Sequence, residues 1–158
     1  MARTSGRTSP SPTICAVVSA GEKETSSTDG MLHTQRTSPY FPVWTECAPR
    51  DIPAAKDAIE RKDIEALGTV MERSSMRMHA SMFAADPPLS YWKPASLLAM
   101  EAVRSLRAGG VGCWFTMDAG PNVKVLTLPQ DAEIVRAVLS AVAQRVDVLT
   151  PGGPARVE

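Results

Sequence analysis

The sequence predicts an α+β fold, in which helices cover one face of a mainly antiparallel sheet. Two observations lead to this prediction. Short runs rich in β-branched residues, which are typical of strands, lie before and after a central stretch with helical periodicity. Two of these runs, 111–117 and 123–128, are close enough to pair antiparallel through a Gly-Pro turn. The resulting order of elements is similar to a ferredoxin-like arrangement elaborated by extra helices.

Composition limits the class of protein. A chain of 158 residues is long enough for one domain with a core of its own. Hydrophobic residues make up 44% of the chain and charged residues 22%, which is typical of a globular protein. The formal net charge is zero, so we expect no nucleic-acid partner. No apolar run approaches the length of a membrane span, and we expect no membrane association.

The cysteines indicate a reducing compartment. Cys15, Cys47 and Cys113 are odd in number and lack paired spacing, which argues against a disulfide framework or a zinc site. Two of them lie in apolar strand-like runs, where a thiol behaves as a small hydrophobe. We therefore expect a cytoplasmic protein that binds no metal through its side chains alone.

The first part of the chain divides at residue 13. Residues 1–12 are almost entirely Ser, Thr, Arg, Pro and Gly, and such a stretch buries too little apolar surface to order itself. We predict a disordered tail there and an ordered domain over 13–158. The domain begins with a buried strand at 14–18, followed by a polar loop at 21–31. Prolines then predict an irregular connection at 38–44.

The polar loop carries a row of four hydroxyl side chains, from Thr25 to Thr28. One interpretation is that these hydroxyls cap the next element. The other is that they hold an anionic ligand together with Lys23 and the loop N–H groups. Gly30 would allow the backbone to come close to such an anion. The loop alone leaves both interpretations open.

The central stretch is predicted to be helical. One helix covers 53–60, and a second, capped by Asp63, carries apolar residues at helical spacing over 64–82. Ser75 and His79 on this second helix are four residues apart and share one face. His79 is either a satisfied structural group or a catalytic base, and the pattern does not decide between them.

The last part alternates helix and strand. A helix over 94–108 begins with a proline and ends at Gly109-Gly110. After the strand pair, a last helix over 131–145 has an acidic first turn that suits the helix dipole. A final strand is predicted at 146–149.

The end of the strand at 111–117 carries the main candidate for catalysis, Asp118. The strand delivers this one carboxylate and then ends at once at Gly120-Pro121. An acid at the end of a rigid strand is well placed to act on a bound ligand. Asp also favours turns by bonding to its own backbone, so the alternative is that Asp118 only caps a turn.

Four blocks carry a resemblance to a known family. They are Val-Val-Ser-Ala at 17–20, Ser-Ser-Thr-Asp-Gly-Met at 26–31, Met-His-Ala at 78–80 with Pro87-Pro88 after it, and Phe-Thr-Met-Asp-Ala-Gly-Pro-Asn at 115–122. In this order and spacing the chain resembles the C-terminal half of the diphosphomevalonate decarboxylases, which belong to the GHMP kinase superfamily.

The resemblance implies an activity and roles for three residues. The activity is ATP- and Mg²⁺-dependent decarboxylation of mevalonate diphosphate to isopentenyl diphosphate, ADP, phosphate and carbon dioxide, a step of isoprenoid biosynthesis. Asp118 takes the position of the catalytic aspartate, which orients or deprotonates the 3-hydroxyl before it is phosphorylated. Thr28, with Ser27 beside it, falls in the segment that contacts the substrate diphosphate. The resemblance also implies a homodimer.

The same resemblance implies a missing half. In the family, the N-terminal half supplies the ATP loop, a lysine, and the arginine and serine that hold the substrate, and these have no counterpart in this sequence. We therefore expect a C-terminal fragment that is inactive alone and needs a complementing N-terminal half. The alternatives are a related GHMP mevalonate or phosphomevalonate kinase or decarboxylase, and a non-enzymatic domain that acts by association.

Overall fold

The computed structural model describes residues 13–21, 24–150 and 152. Within them, a four-stranded antiparallel sheet is combined with five α-helices, which confirms the α+β prediction. The predicted tail at 1–12 lies outside the described residues. Over the part of the chain that is described, no helix is both long enough and apolar enough to cross a membrane. The elements are β1 Thr13–Val17, α1 Ser27–Thr37, α2 Phe41–Glu60, α3 Ile64–Phe83, α4 Pro94–Ala108, β2 Cys113–Thr116, β3 Val123–Thr127, a 3₁₀ turn Pro129–Asp131, α5 Ala132–Leu139 and β4 Arg145–Leu149.

The sheet has the strand order β2-β3-β1-β4. The predicted hairpin is confirmed, because β2 and β3 pair antiparallel with Cys113 opposite Thr127 and Thr116 opposite Lys124. β1 lies between β3 and β4 and is antiparallel to both. Asp118 therefore lies two residues after the end of a strand at the edge of the sheet.

One face of the sheet forms the main core. Along β3 the buried Val123, Val125 and Thr127 alternate with half-buried residues, as expected for a strand with one packed face. Side chains from α4 and α5 join this face in one cluster, whose members include Ile14, Ala16, Ala99, Met100, Val103, Phe115, Val135 and Leu139. Each large apolar side chain that is fully buried contributes about 1.5–3 kcal/mol to stability. This cluster therefore holds the sheet that carries Asp118.

Helix α3 packs against β2 through a glycine. A Cβ atom at Gly68 would overlap the ring of Trp114 and lie 2.7 Å from its Cβ atom. Trp114 points away from the face formed by Cys113 and Phe115, because neighbouring side chains alternate along a strand. Gly68 thus allows α3 to approach the side of β2 opposite the main core.

β2 is an edge strand, and side chains rather than another strand form hydrogen bonds with its outer edge. Glu72 Oε1 accepts a hydrogen bond from the Phe115 N–H at 3.0 Å. Arg107 donates to the Cys113 carbonyl at 2.8 Å and forms two hydrogen bonds, of 2.7 and 3.0 Å, with the Glu72 carboxylate. A strand edge closed in this way is not free to pair with another chain. These hydrogen bonds also fix the main chain of β2 shortly before Asp118.

The predicted irregular connection at 38–44 is wrong in its second half, because α2 occupies it. The prolines led to this error. Pro42 lies in the first turn, where a backbone N–H has no helical acceptor, so it suits the start of a helix. Pro49 and Pro53 lie inside α2, and the helix predicted at 53–60 is only its last part.

The last predicted helix is too long. α5 ends at Leu139, and the carbonyl of this residue accepts hydrogen bonds from Val142 and Ala143 in a turn. The Gln144 N–H then donates to the Val17 carbonyl at 3.0 Å, which places the chain beside β1. The predicted final strand is confirmed as β4, which begins one residue earlier than 146.

Candidate active site

Asp118 lies in residues 117–122, which we call the Asp118 loop. Helix α3 holds the start of this loop through Ser75. The hydroxyl of Ser75 accepts a hydrogen bond from the Met117 N–H and donates one to the Met117 carbonyl, each at 3.0 Å. Inside the loop, the Gly120 N–H donates to the Asp118 carbonyl at 2.7 Å. The main chain on both sides of Asp118 is therefore restrained.

Helices α1 and α4 hold the middle of the loop. The Ser27 hydroxyl, in the first turn of α1, donates to the Ala119 carbonyl at 3.5 Å. The Ser96 hydroxyl, in the first turn of α4, donates to the Pro121 carbonyl at 2.6 Å. Both helices thus place their N-terminal ends next to the Asp118 loop.

The end of β1 holds the last residue of the loop. Asn122 Oδ1 accepts hydrogen bonds from the N–H groups of Val18 and Ser19, at 3.0 and 3.2 Å. The loop is therefore bound to four separate elements: α1, α3, α4 and the end of β1. A main chain restrained from four directions fixes where the Asp118 side chain begins, and a catalytic group requires such a fixed position.

The side chain of Asp118 is directed outward. It is 77% exposed, and its carboxylate accepts a hydrogen bond from Lys124 Nζ. Among the described residues, the carboxylate makes no hydrogen bond with a backbone N–H of its own loop. The turn-capping alternative requires such a bond. The geometry instead presents the carboxylate to solvent and to Lys124.

Sequence reasoning missed Lys124. Its strand register places it opposite Thr116, two residues before Asp118, so the hairpin brings the two charges together. The alternation along β3 was the available signal, since Lys124 is the polar member of a strand whose other face is buried. An exposed pair of this kind contributes little to stability. Its main effect is that Lys124 places a positive charge next to the Asp118 carboxylate.

The polar loop predicted at 21–31 is wrong from Ser27 onward, because α1 begins there. Ser26 starts the helix. Its hydroxyl accepts from the Asp29 N–H at 3.1 Å and donates to the Asp29 carboxylate at 2.7 Å. The bond from the Asp29 N–H is that of an N-terminal cap, so the capping role belongs to Ser26 and not to Thr28.

Gly30 does not approach an anion. It lies within α1, where an added Cβ would be 2.9 Å from Leu89 Cδ2 and would overlap the Tyr91 hydroxyl. The Tyr91 hydroxyl in turn donates to the Ser26 carbonyl at 2.9 Å. The space above Gly30 is therefore filled by the protein itself, and the predicted role of this glycine is wrong.

Ser27 and Thr28 both lie in the first turn of α1 and are exposed. The first turn of a helix has N–H groups without helical acceptors and carries a partial positive charge, so it favours anions. A polar cleft of about 340 Å³ lies nearby, lined among others by Thr25, Lys93 and Pro121 of the Asp118 loop. Lys23, the other residue predicted to help bind an anion, lies outside the described residues.

A second, larger pocket lies at the other end of the Asp118 loop. It encloses about 810 Å³ between α2 and α3, and its lining is mostly apolar. Met117 and Asp118 form part of the wall. The Asp118 loop therefore contributes to a polar cleft and to an apolar pocket.

His79 lies behind the Asp118 loop, on the same face of α3 as Ser75, as predicted. It is 1% exposed, and burial lowers the pKa of its ring below 6.5. Among the described residues, no group of three or more His, Cys, Asp or Glu side chains is arranged to hold a metal ion.

The sheet, its helices and the Asp118 loop match a family of known proteins. Over residues 13–151 the chain matches the family described as Mevalonate 5-diphosphate decarboxylase C-terminal domain. The chain therefore belongs to this family of domains.

Individual relatives agree with this assignment. The chain is 33% identical over 132 residues to the diphosphomevalonate decarboxylase of Aspergillus fumigatus, covering 82% of this chain and 33% of that protein. The human diphosphomevalonate decarboxylase is 32% identical over 129 residues, covering 79% and 32% of the two chains. A solved structure of mevalonate pyrophosphate decarboxylase from Streptococcus pyogenes superposes with a TM-score of 0.86 at 34% identity, covering 98% of this chain and 48% of that one. The chain thus spans about a third of these curated relatives and about half of the solved chain.

Proposed function

We propose that this chain provides the catalytic carboxylate, Asp118, for the ATP-dependent decarboxylation of mevalonate diphosphate. One observation carries the proposal. The carboxylate is exposed at the end of β2, while the main chain around it is hydrogen-bonded to four other elements. Membership of the decarboxylase family supports this choice over a related kinase.

In this proposal Asp118 acts on the 3-hydroxyl of the substrate. The carboxylate accepts the hydroxyl proton, or orients the hydroxyl, so that its oxygen attacks the terminal phosphate of ATP. ADP is the leaving group of this attack, and the phosphate formed on the 3-oxygen then departs as the substrate carboxylate is lost as carbon dioxide, which gives isopentenyl diphosphate. The task requires hydrogen-bond reach and a fixed direction, and the restrained loop provides both.

The substrate diphosphate is assigned to the start of α1. Ser27 and Thr28 lie in a helical first turn, where the N–H groups and the helix dipole favour phosphate oxygens, and Thr28 adds a hydroxyl donor. The hydrogen bond from Ser27 to Ala119 joins this position to the Asp118 loop. The two parts of the substrate, diphosphate and 3-hydroxyl, are thus handled by neighbouring elements.

The residues that the structure describes contain no preformed site for ATP or Mg²⁺. No group of metal ligands occurs among the described residues, and the sequence contains no counterpart of the family's ATP loop. A relative of 35% identity was solved with MVAPP, AMPPCP and magnesium, and this chain covers 48% or less of such relatives' chains. We assign the binding of both groups to a complementing half, and the residues of this chain act only on the 3-hydroxyl and the diphosphate of the substrate. A cytoplasmic location and a homodimer remain predictions.

The proposal is tested by turnover with and without that half. We expect the chain alone to release no ADP from ATP and mevalonate diphosphate at an enzymatic rate. Mixed with, or fused to, the N-terminal half of the Streptococcus pyogenes relative, it should release ADP and carbon dioxide in equal amounts. ADP release without carbon dioxide would indicate a kinase, and a folded complex without turnover would indicate a domain that acts by association.

A further inference from the structure

Lys124 is a cation of the candidate active site that the proposed chemistry does not use. Its ammonium group donates a hydrogen bond to Oδ2 of Asp118. Among the described residues, Oδ1 of the same carboxylate accepts no hydrogen bond. The two oxygens of the carboxylate therefore differ, because one is bound to a cation and the other has no partner within this part of the chain.

The main chain of Lys124 lies in a rigid part of the sheet. β3 is an inner strand, and Lys124 is paired with Thr116 of β2 on one side and with Cys15 of β1 on the other. The side chain of Lys124 is 35% exposed, against 77% for Asp118. The ammonium group thus reaches the carboxylate from a fixed strand outside the Asp118 loop.

The other charges on this face of the sheet leave Lys124 to Asp118. Cys15 is opposite Lys124 on one side and Asp147 on the other, so the three side chains lie on the same face. The carboxylate of Asp147 accepts a hydrogen bond from Arg145 Nε at 2.9 Å. Among the described residues, Asp118 is therefore the acidic side chain that pairs with Lys124.

The hydrogen bonds to the Asp118 loop do not fix the direction of the carboxylate. They restrain the main chain, whereas the carboxylate still turns about the two rotatable bonds of the side chain. The contact with Lys124 is the one that limits this rotation, since it holds one of the two oxygens.

We propose that Lys124 is a positioning residue, which holds Oδ2 of Asp118 so that Oδ1 is directed toward the 3-hydroxyl of the substrate. This inference rests on the proposed catalytic role of Asp118. A displacement of a catalytic group by about 1 Å is enough to lower the rate on the order of a hundredfold. An exposed ion pair adds little to stability, so the effect of Lys124 belongs to kcat and not to the melting temperature.

Two substitutions test this role in the enzyme assembled with a complementing half. Lys124→Met keeps an unbranched side chain and removes the charge, and we expect it to lower kcat roughly tenfold or more and to leave KM within about twofold. Lys124→Arg keeps a charged donor and should keep part of kcat. Lys56→Met, which changes an exposed lysine of α2, is the control and should change neither constant. A raised KM with unchanged kcat would overturn the inference, because Lys124 would then bind the substrate directly.

A double-substitution cycle shows whether Lys124 acts through Asp118. If it does, adding Lys124→Met to Asp118→Asn should change the residual kcat by no more than about twofold, because the group that Lys124 holds is already lost. Two reductions that multiply would overturn the inference. In the chain alone, the melting temperatures of Lys124→Met and Lys56→Met should agree within about 2 °C.

Nuclear magnetic resonance of the full chain alone gives a readout that needs no complementing half. The couplings between the Hα and Hβ protons of Asp118 report the rotation about its first side-chain bond. In the unsubstituted chain they should be those of a single rotamer, and in Lys124→Met they should be averaged over several rotamers. Couplings that are already averaged in the unsubstituted chain would overturn the inference.

The two proposals fail in different ways. If Asp118→Asn keeps full kcat, the proposed function is wrong. If Asp118→Asn is inactive while Lys124→Met keeps full kcat, only the positioning role of Lys124 is wrong.

Discussion

The hydroxyl of Ser75 binds both polar main-chain groups of Met117, accepting from its N–H and donating to its carbonyl at 3.0 Å each. A helix side chain thus provides at this edge of the sheet what a neighbouring strand would otherwise provide. The next residue is Asp118, so the same contact that closes the edge also fixes the candidate catalytic group.

Loss of this contact should destabilise the chain. Ser75→Ala leaves the buried N–H and carbonyl of Met117 without that partner, and we expect a loss of about 1–3 kcal/mol. For a chain of this size the melting temperature should fall by about 2–4 °C per kcal/mol. Ser74→Ala, its neighbour on α3, is the control and should change stability by less than about 0.5 kcal/mol. Equal melting temperatures for the two variants would show that the contact with Met117 contributes nothing.

Two substitutions at the start of α1 distinguish helix capping from ligand binding. Ser26→Ala removes the N-terminal cap, and chemical denaturation should show a loss of about 1 kcal/mol. Thr28→Ala removes an exposed hydroxyl that caps nothing, so it should leave stability almost unchanged. In the assembled enzyme, however, Thr28→Ala should weaken the binding of mevalonate diphosphate roughly ten- to a hundredfold, because a charge-assisted hydrogen bond is worth about 1.5–3 kcal/mol. A calorimetric titration with an unchanged Kd would return Thr28 to a purely structural role.

The close packing of Gly68 against Trp114 leaves no space for a larger side chain at position 68. Gly68→Ala places a Cβ where the Trp114 ring now lies, so α3 or β2 must move. Overpacking of this kind costs about 1–3 kcal/mol or more, measured by thermal unfolding. Gly152→Ala is the matched control, since a Cβ there meets no atom within 4 Å. A Gly68→Ala variant as stable as the control would contradict the packing described for α3.

The sequence predicted the hairpin and Asp118 at its end, because both depend on local signals. The Gly120-Pro121 break and the alternation along β3 are readable within a few residues. The contacts that hold the Asp118 loop are not local. Asn122 bonds to Val18 across 104 positions of the chain, and no periodicity records such a pairing. Sequence patterns therefore place the carboxylate but not its supports.

The same reasoning explains the errors at α1 and α2. Four hydroxyls in a row indicated a loop, although one of them, Ser26, starts a helix by bonding to Asp29. Prolines indicated an irregular connection, although Pro42 stands where a helix tolerates it. In both places a residue type has two structural uses: the capping use left open for the hydroxyls is the one that Ser26 shows, whereas the prolines were assigned the wrong use.

The buried thiol of Cys113 makes the free energy of unfolding depend on pH in the alkaline range. Burial raises the pKa of Cys113 from 9.0 to about 11. The folded state then keeps its proton where the unfolded state has lost it. The contribution of this thiol is fully present below about pH 9 and is lost as the pH rises to about 11. We expect the loss to reach roughly 2–3 kcal/mol. Urea unfolding at several pH values should show a shallower alkaline decline for Cys113→Ala, and parallel declines would contradict the assignment.

The most direct test of the account measures kcat for Asp118→Asn in the enzyme assembled from this chain and a nucleotide-binding half. The substitution keeps the shape of the side chain and removes its charge. We expect kcat to fall by roughly 10²–10⁴-fold while KM changes little, because the role of Asp118 lies in the reaction and not in binding. Glu133→Gln, which removes an exposed carboxylate from α5, is the control and should keep full activity. An Asp118→Asn enzyme with the kcat of this control would show that the carboxylate at the end of β2 is not the catalytic group.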